Sequence, residues 1–184
     1  MGEIEDSEDN RVQQQPMSTQ RLTASCSCGA VEIEAVGPPI VAVLCYCDDC
    51  QAAARQIEAM PGASPFRQSD GGTPLIAYRK DRVQYVRGSH LLKKLKLREG
   101  SATNRRLAVC CNSVMILDFD DRKHWIDVYR ARMRGDTPAP EMRVCARGEA
   151  KDFAEPKNMP TYRGYPARFI VKLFTAKLAM VFSR

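Results

Sequence analysis

The sequence predicts a mainly β domain of antiparallel sheet followed by C-terminal α-helices. Three observations lead there. Short runs of β-branched or alternating residues recur through the first two thirds of the chain, and turn residues separate them. Beyond Asp118, apolar residues recur instead at spacings of three and four. With 184 residues, the chain suffices for one domain with an appendage and can bury a core without crosslinks.

Residues 1–20 carry Glu3, Glu5, Asp6, Glu8 and Asp9, then Gln13 to Pro16, with almost nothing large and apolar to bury. They read as a disordered acidic tail without the positive flank and apolar stretch of a signal peptide. From Leu22 to Ile40, Val31, Ile33 and Ala35 alternate with Glu32 and Glu34 before Gly37, Pro38 and Pro39, which predicts a strand ending in a turn. Ile40 to Leu44 is a second strand that runs directly into Cys45. Asp48 and Asp49 are candidate N-caps for a helix over Cys50 to Met60, which Pro61 stops. A loop follows to Gly72. Strands are then expected over Leu75 to Tyr78, Val83 to Val86 and Leu107 to Leu117, with a Leu/Lys segment from Leu91 to Leu97 between the last two.

Trp125, Val128, Tyr129 and Met133 have helical spacing until Asp136 to Pro140 breaks it. Ala167 to Phe182 is strongly apolar, interrupted by Lys172 and Lys177, and too short for a comfortable membrane span. It reads as a helix packed on the core or at a homo-oligomer contact. The resulting division is a tail over 1–20, a metal-binding β domain over 21–118 and a helical extension over 119–184.

Eight cysteines are about 4% of the chain, below the density of a secreted disulfide scaffold, and no secretory leader precedes them. A cytoplasmic thiol or metal protein is expected. Charged residues at 27% and a mean hydropathy of −0.38 exclude a polytopic membrane protein, a collagen-like chain and a wholly disordered one. The formal charge of +6 omits thiolates. One four-Cys and one three-Cys zinc site would bring it to about +3, which is weakly basic and unselective.

The cysteines carry the chemistry. They occur as Cys26-Ser-Cys28-Gly29, Cys45-Tyr-Cys47-Asp-Asp-Cys50 and Cys110-Cys111, with Cys145 alone. Spacings this short converge sulfurs on one point, as tetrahedral zinc requires at about 2.3 Å per bond. His90 and His124 are the only histidines, so a zinc site here is thiolate-rich. Cys50 falls at the expected helix N-terminus, where free N–H groups and the macrodipole favour a thiolate. Three ligands from one short stretch leave a fourth position for water or substrate, the arrangement of a catalytic zinc. A closed four-Cys site, or one completed by a distant residue such as Cys145, is the alternative.

The order Cys-x-Cys-Gly, then Cys-x-Cys-x-x-Cys, then a basic residue ahead of a late cysteine and serine resembles the glutathione-dependent formaldehyde-activating enzyme family. That family includes centromere protein V and has the Mss4-like β fold. The resemblance runs from Leu22 to Leu117. It implies that Cys26 and Cys28 join later cysteines around a structural zinc, and that Cys45, Cys47 and Cys50 hold a reactive zinc with an open position. Aligning Cys111-Asn112-Ser113 on the family's Cys-Gly-Ser places Arg105 on its arginine but puts Ala108 where a ligand cysteine belongs. Asn112 for Gly is mild, because Asn enters the left-handed region readily. For the missing cysteine three outcomes stand: Cys110 replaces it, a foreign ligand does, or that site has lost its metal. Use of both Cys110 and Cys111 requires a turn or bulge, since strand neighbours point to opposite faces.

The resemblance implies a carbon–sulfur lyase reaction in which glutathione adds to formaldehyde to give S-hydroxymethylglutathione. The alternative is a binding module without turnover. Ten Lys/Arg against two Asp/Glu between Arg79 and Arg106 give a basic face for nucleic acid or protein, although aromatic residues for stacking bases are sparse. A nucleobase deaminase is disfavoured, because Leu91-Leu92 and Trp125-Ile126 follow the two histidines where a Glu is needed.

Overall fold

The computed structural model describes residues 20–147 and 158–182, so nearly all of the expected acidic tail lies outside the described residues. Among them, ten strands form two sheets. Strands β1 (Arg21–Ser25), β2 (Glu32–Val36) and β5 (Val83–Arg87) make a three-stranded antiparallel sheet in the order β1-β2-β5. The larger sheet has seven strands: β3 (Val41–Cys45), β4 (Thr73–Arg79), β6 (Leu92–Leu95), β7 (Thr103–Ala108), β8 (Ser113–Phe119), β9 (Trp125–Tyr129) and β10 (Met142–Val144). Its order is β10-β3-β4-β9-β8-β7-β6, with only β10 parallel to its neighbour.

Burial follows the residue pattern. On β2, Ile33 and Ala35 are buried while Glu32 and Glu34 are partly exposed, the alternation of a strand with one wet face. β3 and β4 are buried along their whole length, because both faces of the large sheet are covered. One face packs Ala42, Ile76, Tyr78, Ile116 and Val128 against Ala24, Ile33 and Ala35 of the small sheet. The other packs Val43, Leu75, Leu117 and Tyr129 against helices α1 (Asp48–Glu58) and α2 (Ala167–Phe182). Ile57 of α1 is fully buried in this layer, and truncating it to Ala costs about 2–5 kcal/mol.

The helical pattern expected beyond Asp118 is corrected. Trp125–Tyr129 is β9, hydrogen-bonded between β4 and β8 in the middle of the large sheet, so a boundary at Asp118 cuts through that sheet. Trp125 and Tyr129 face the helix side and Ile126 and Val128 face the small sheet. A five-residue strand that is apolar on both faces carries no period able to separate it from a helix. In this C-terminal part the described residues hold one α-helix, α2, besides a single 3-10 turn at Arg130–Arg132, and the expected strand over Leu107 to Leu117 is two strands with a turn between them.

Helix α2 sits on the sheet through Phe169 and Leu173, and the Leu173 carbonyl lies 2.8 Å from Nε2 of His124. That contact gives His124 a structural job. The other side of α2 leaves Ile170, Val171, Phe174, Leu178, Val181 and Phe182 exposed. No helix is long and apolar enough to cross a membrane among the described residues.

Candidate functional site

The fold gathers seven of the eight cysteines into two clusters, and all eight are free thiols. In the first, Cys26 and Cys28 flank the tight turn after β1, which Gly29 allows with a φ of 77°. Cys110 and Cys111 lie in the β7–β8 turn, where Asn112 takes the left-handed φ of 50° that the sequence reading expected it to tolerate. Ala108 is fully buried in the core between the sheets. The turn brings Cys110 within 4.8 Å of Cys26, Cys28 and Cys111.

Sulfur separations in this cluster are 3.6 Å for Cys26–Cys28, 3.3 Å for Cys28–Cys110, and 3.9 Å for both Cys26–Cys110 and Cys110–Cys111. A tetrahedron of sulfurs with metal bonds of about 2.3 Å has edges of about 3.8 Å, so the four-thiol set fits a divalent ion such as zinc. The Val31 N–H donates to Cys26 Sγ at 3.2 Å, and Ser113 Oγ lies 3.2 Å from Cys111 Sγ. Burial works against a thiolate on Cys111, but hydrogen bonds from Ser113 and Ser27 prevail and bring it down to about 5.

The second cluster is Cys45, Cys47 and Cys50, whose sulfurs also lie within 4.8 Å of one another. Cys45 ends β3. Cys47 itself is the N-cap of α1, its Sγ accepting from the Cys50 N–H at 3.4 Å. Asp48 and Asp49, the expected caps, fill the first turn instead. Hydrogen bonds from Cys45 and Cys50 hold the Cys47 thiol well below its ordinary range, against the burial that opposes them, with the Cys50 N–H and the Arg105 charge adding to the effect.

Sequence reasoning missed two companions of these clusters. Arg132 and Arg105 are both buried, and each lies against one cluster. Arg132 feels the charges of Cys111 and Cys26 while its guanidinium donates to the carbonyls of Val114, Ser64 and Pro65. Arg105, aligned beforehand only through the resemblance, donates to the Asp49 carbonyl at 3.0 Å and favours thiolates on Cys47 and Cys50. Three thiolates around a divalent ion carry one net negative charge and four carry two, so a buried guanidinium beside each offsets part of the excess. Arginine at buried positions was the available signal, but burial is not visible in sequence.

The eighth cysteine approaches the second cluster from β10. Val144 pairs with Cys45 in register, and Cys145 follows with a φ of 56°. Its thiol is hydrogen-bonded to Cys45 and Tyr165. Cys145 is not among the sulfurs that all lie within 4.8 Å of one another, although it neighbours Cys45. His90 is exposed and belongs to neither cluster.

The basic face is largely spoken for. Arg79, Arg87, Lys94, Lys96, Arg98 and Arg106 are paired with Asp81, Glu32, Asp120, Asp120, Asp49 and Asp118 respectively.

A family model described as glutathione-dependent formaldehyde-activating enzyme matches residues 21–146, a span that contains all eight cysteines and both arginines. The chain belongs to that family. Membership in the glutathione-dependent formaldehyde-activating family agrees with the two-sheet β architecture and with cysteine clusters that could hold metal. No curated protein matches. A crystal structure of a Rhodobacter sphaeroides protein, a structural-genomics target, is similar at 19% identity and a TM-score of 0.45, covering 63% of this chain and 91% of that one.

Proposed function

We propose that this chain binds two zinc ions and uses the one held by Cys45, Cys47 and Cys50 to join a small thiol such as glutathione to an aldehyde. Formaldehyde is the aldehyde that the family description names. The observation that carries this reading is a thiol trio at a helix N-terminus that no fourth sulfur joins within 4.8 Å of all three, in contrast to the four-sulfur set of the other cluster. When bound there, zinc supplies a Lewis acid that can hold a thiol as its thiolate or polarise a carbonyl oxygen.

The chain's own residues do the rest. The Cys50 N–H and Arg105 favour a thiolate on Cys47, and the Arg105 charge also favours one on Cys50 and would offset the excess charge of a three-thiolate site. Tyr165 stands beside the thiols and interacts with Cys145; in this reading its hydroxyl also hydrogen-bonds the substrate oxygen. In the reaction a carbon–sulfur bond forms, the carbonyl π bond breaks, and the thiol proton ends on the carbonyl oxygen. Free cysteines throughout suit a reducing compartment such as the cytoplasm. The exposed apolar side of α2 suits a homo-oligomer contact, testable by sedimentation.

Elemental analysis of protein purified without chelator is expected to give about two zinc per chain. Glutathione and formaldehyde should then form adduct faster with wild type than with Cys47→Ser. Equal rates would argue for a binding module, and zinc near zero would remove the scheme altogether.

A further inference from the structure

Between α2 and the large sheet lies a cavity of about 230 Å³. Val43, Leu75, Trp125, Phe169 and Leu173 supply its apolar wall, Cys45 lies at one end and Asp127 farther along. Tyr165 also lines it, and its ring, with a centroid 4.9 Å from that of Phe169, joins the cavity to the thiols. The cavity therefore reaches Cys45, one member of the three-cysteine cluster. A wider surface depression of about 650 Å³ beside Arg21, Glu32 and Arg134 has no cysteine on its wall.

Strand register gives the cavity its length. Cys45 is level with Thr73 on β4, and Asp127 is level with Ala77. Four residues at about 3.4 Å each separate the two levels by about 14 Å along the sheet. A volume of 230 Å³ drawn out over such a length is a narrow slot. At roughly 30 Å³ per small heavy atom in a liquid, it holds about seven or eight such atoms in line. Formaldehyde would leave it mostly empty. The wall also includes Lys123, which is already paired with Asp121; the rest is mostly apolar and matches a hydrocarbon chain better than the two carboxylates and peptide groups of glutathione, so the slot falls to the carbonyl partner.

We propose that the slot receives the hydrocarbon chain of the aldehyde, so that the substrate is an unbranched aliphatic aldehyde of about six to eight carbons. The inference rests on the function proposed above and narrows its substrate. Bond changes are those already given: the thiol sulfur bonds the carbonyl carbon and its proton goes to the oxygen, with nothing oxidised or reduced. Asp127 does not spoil the slot for a chain. It has no hydrogen-bond partner among the described residues, and burial pushes its carboxyl up to about 7, so an uncharged acid is available there near neutral pH.

Trp125 is the sole tryptophan of the chain and lines the slot, so its fluorescence reports occupancy without turnover. The test titrates zinc-loaded full-length protein with unreactive n-alcohols from 1-butanol to 1-decanol. Affinity should rise about fourfold per added methylene and level off near about eight heavy atoms. Leu173→Phe, which fills the slot, should move the plateau to shorter chains and weaken 1-heptanol at least about tenfold. If that variant fails to fold, Ile170→Phe at the exposed rim replaces it. With glutathione, kcat/KM for heptanal should exceed that for formaldehyde by at least about tenfold in wild type. Absence of a saturable Trp125 signal, no chain-length dependence, or unchanged 1-heptanol affinity in a folded filled variant overturns the slot assignment. Adduct formation with formaldehyde but no 1-heptanol binding sinks this inference and keeps the reaction. Binding of 1-heptanol with no adduct from any aldehyde keeps the slot's ligand class and sinks the reaction.

Discussion

The two cysteine clusters are built from the same side chain yet differ in how the fold holds them. Cys26, Cys28, Cys110 and Cys111 come from two hairpin-like turns in different sheets, so an ion among them ties the small sheet to the large one. Cys45, Cys47 and Cys50 come from one continuous strand-to-helix corner, whose geometry α1 already fixes. Crosslinking separate sheets is a folding task. A preformed corner with a side left open is suited to chemistry.

That difference predicts unequal consequences of losing a thiol, and this is the largest effect expected. Cys26→Ser should cost one zinc and lower the melting temperature by about 10 °C or more, because metal binding there is folding free energy. Cys47→Ser should also cost one zinc but lower it by less than about 3 °C. Calorimetry showing equal drops would erase the comparison.

Next in size are the two buried arginines. Arg105→Met should weaken zinc at the three-thiol cluster by about 10–100-fold and leave the four-thiol cluster unchanged, while Arg132→Met should do the reverse. Stepwise removal by a chelator measures both. Loss at both clusters in either variant would mean that the guanidiniums support the core generally.

Asp127 lies on the helix side with the three-thiol cluster and gives a pH signature. Its carboxyl is raised from 3.8 to about 7, so the native state holds a proton that the unfolded chain has released. The group's penalty is absent below about pH 4 and complete above about pH 7, so stability falls as pH rises through that window. Asp127→Asn should flatten this fall and add about 2 kcal/mol at pH 8, with solvent in the cavity reducing the full shift. Denaturant midpoints across pH check it; an unchanged profile would place the carboxyl in water. Smallest is the turn of the four-thiol cluster. Asn112→Gly should change stability by less than about 0.5 kcal/mol, whereas Asn112→Val, forced to a φ of 50°, should cost about 1–2 kcal/mol.

Legibility in the sequence divides along physical lines. Strands such as Glu32–Val36 show their alternation because one face is wet, and the short cysteine spacings announce clusters because sulfur convergence is local. Trp125–Tyr129 misleads because both its faces are buried, which erases the period. The approach of Cys145 to Cys45 depends on a parallel pairing of β10 with β3 across almost one hundred residues, which no local pattern encodes. The same holds for Arg132 beside Cys26 and for the slot under α2. Cys47 as the cap of α1 was obscured by Asp48 and Asp49, which are the more familiar capping residues.

Zinc K-edge X-ray absorption on the wild type and on Cys47→Ser tests the central claim most directly. The account predicts about four sulfur neighbours at about 2.3 Å per zinc in the variant, which keeps only the four-thiol ion, and a lower mean with an oxygen or nitrogen neighbour in the wild type. Four sulfurs per zinc in the wild type at two zinc per chain would contradict it, because the second ion would then have no place for substrate.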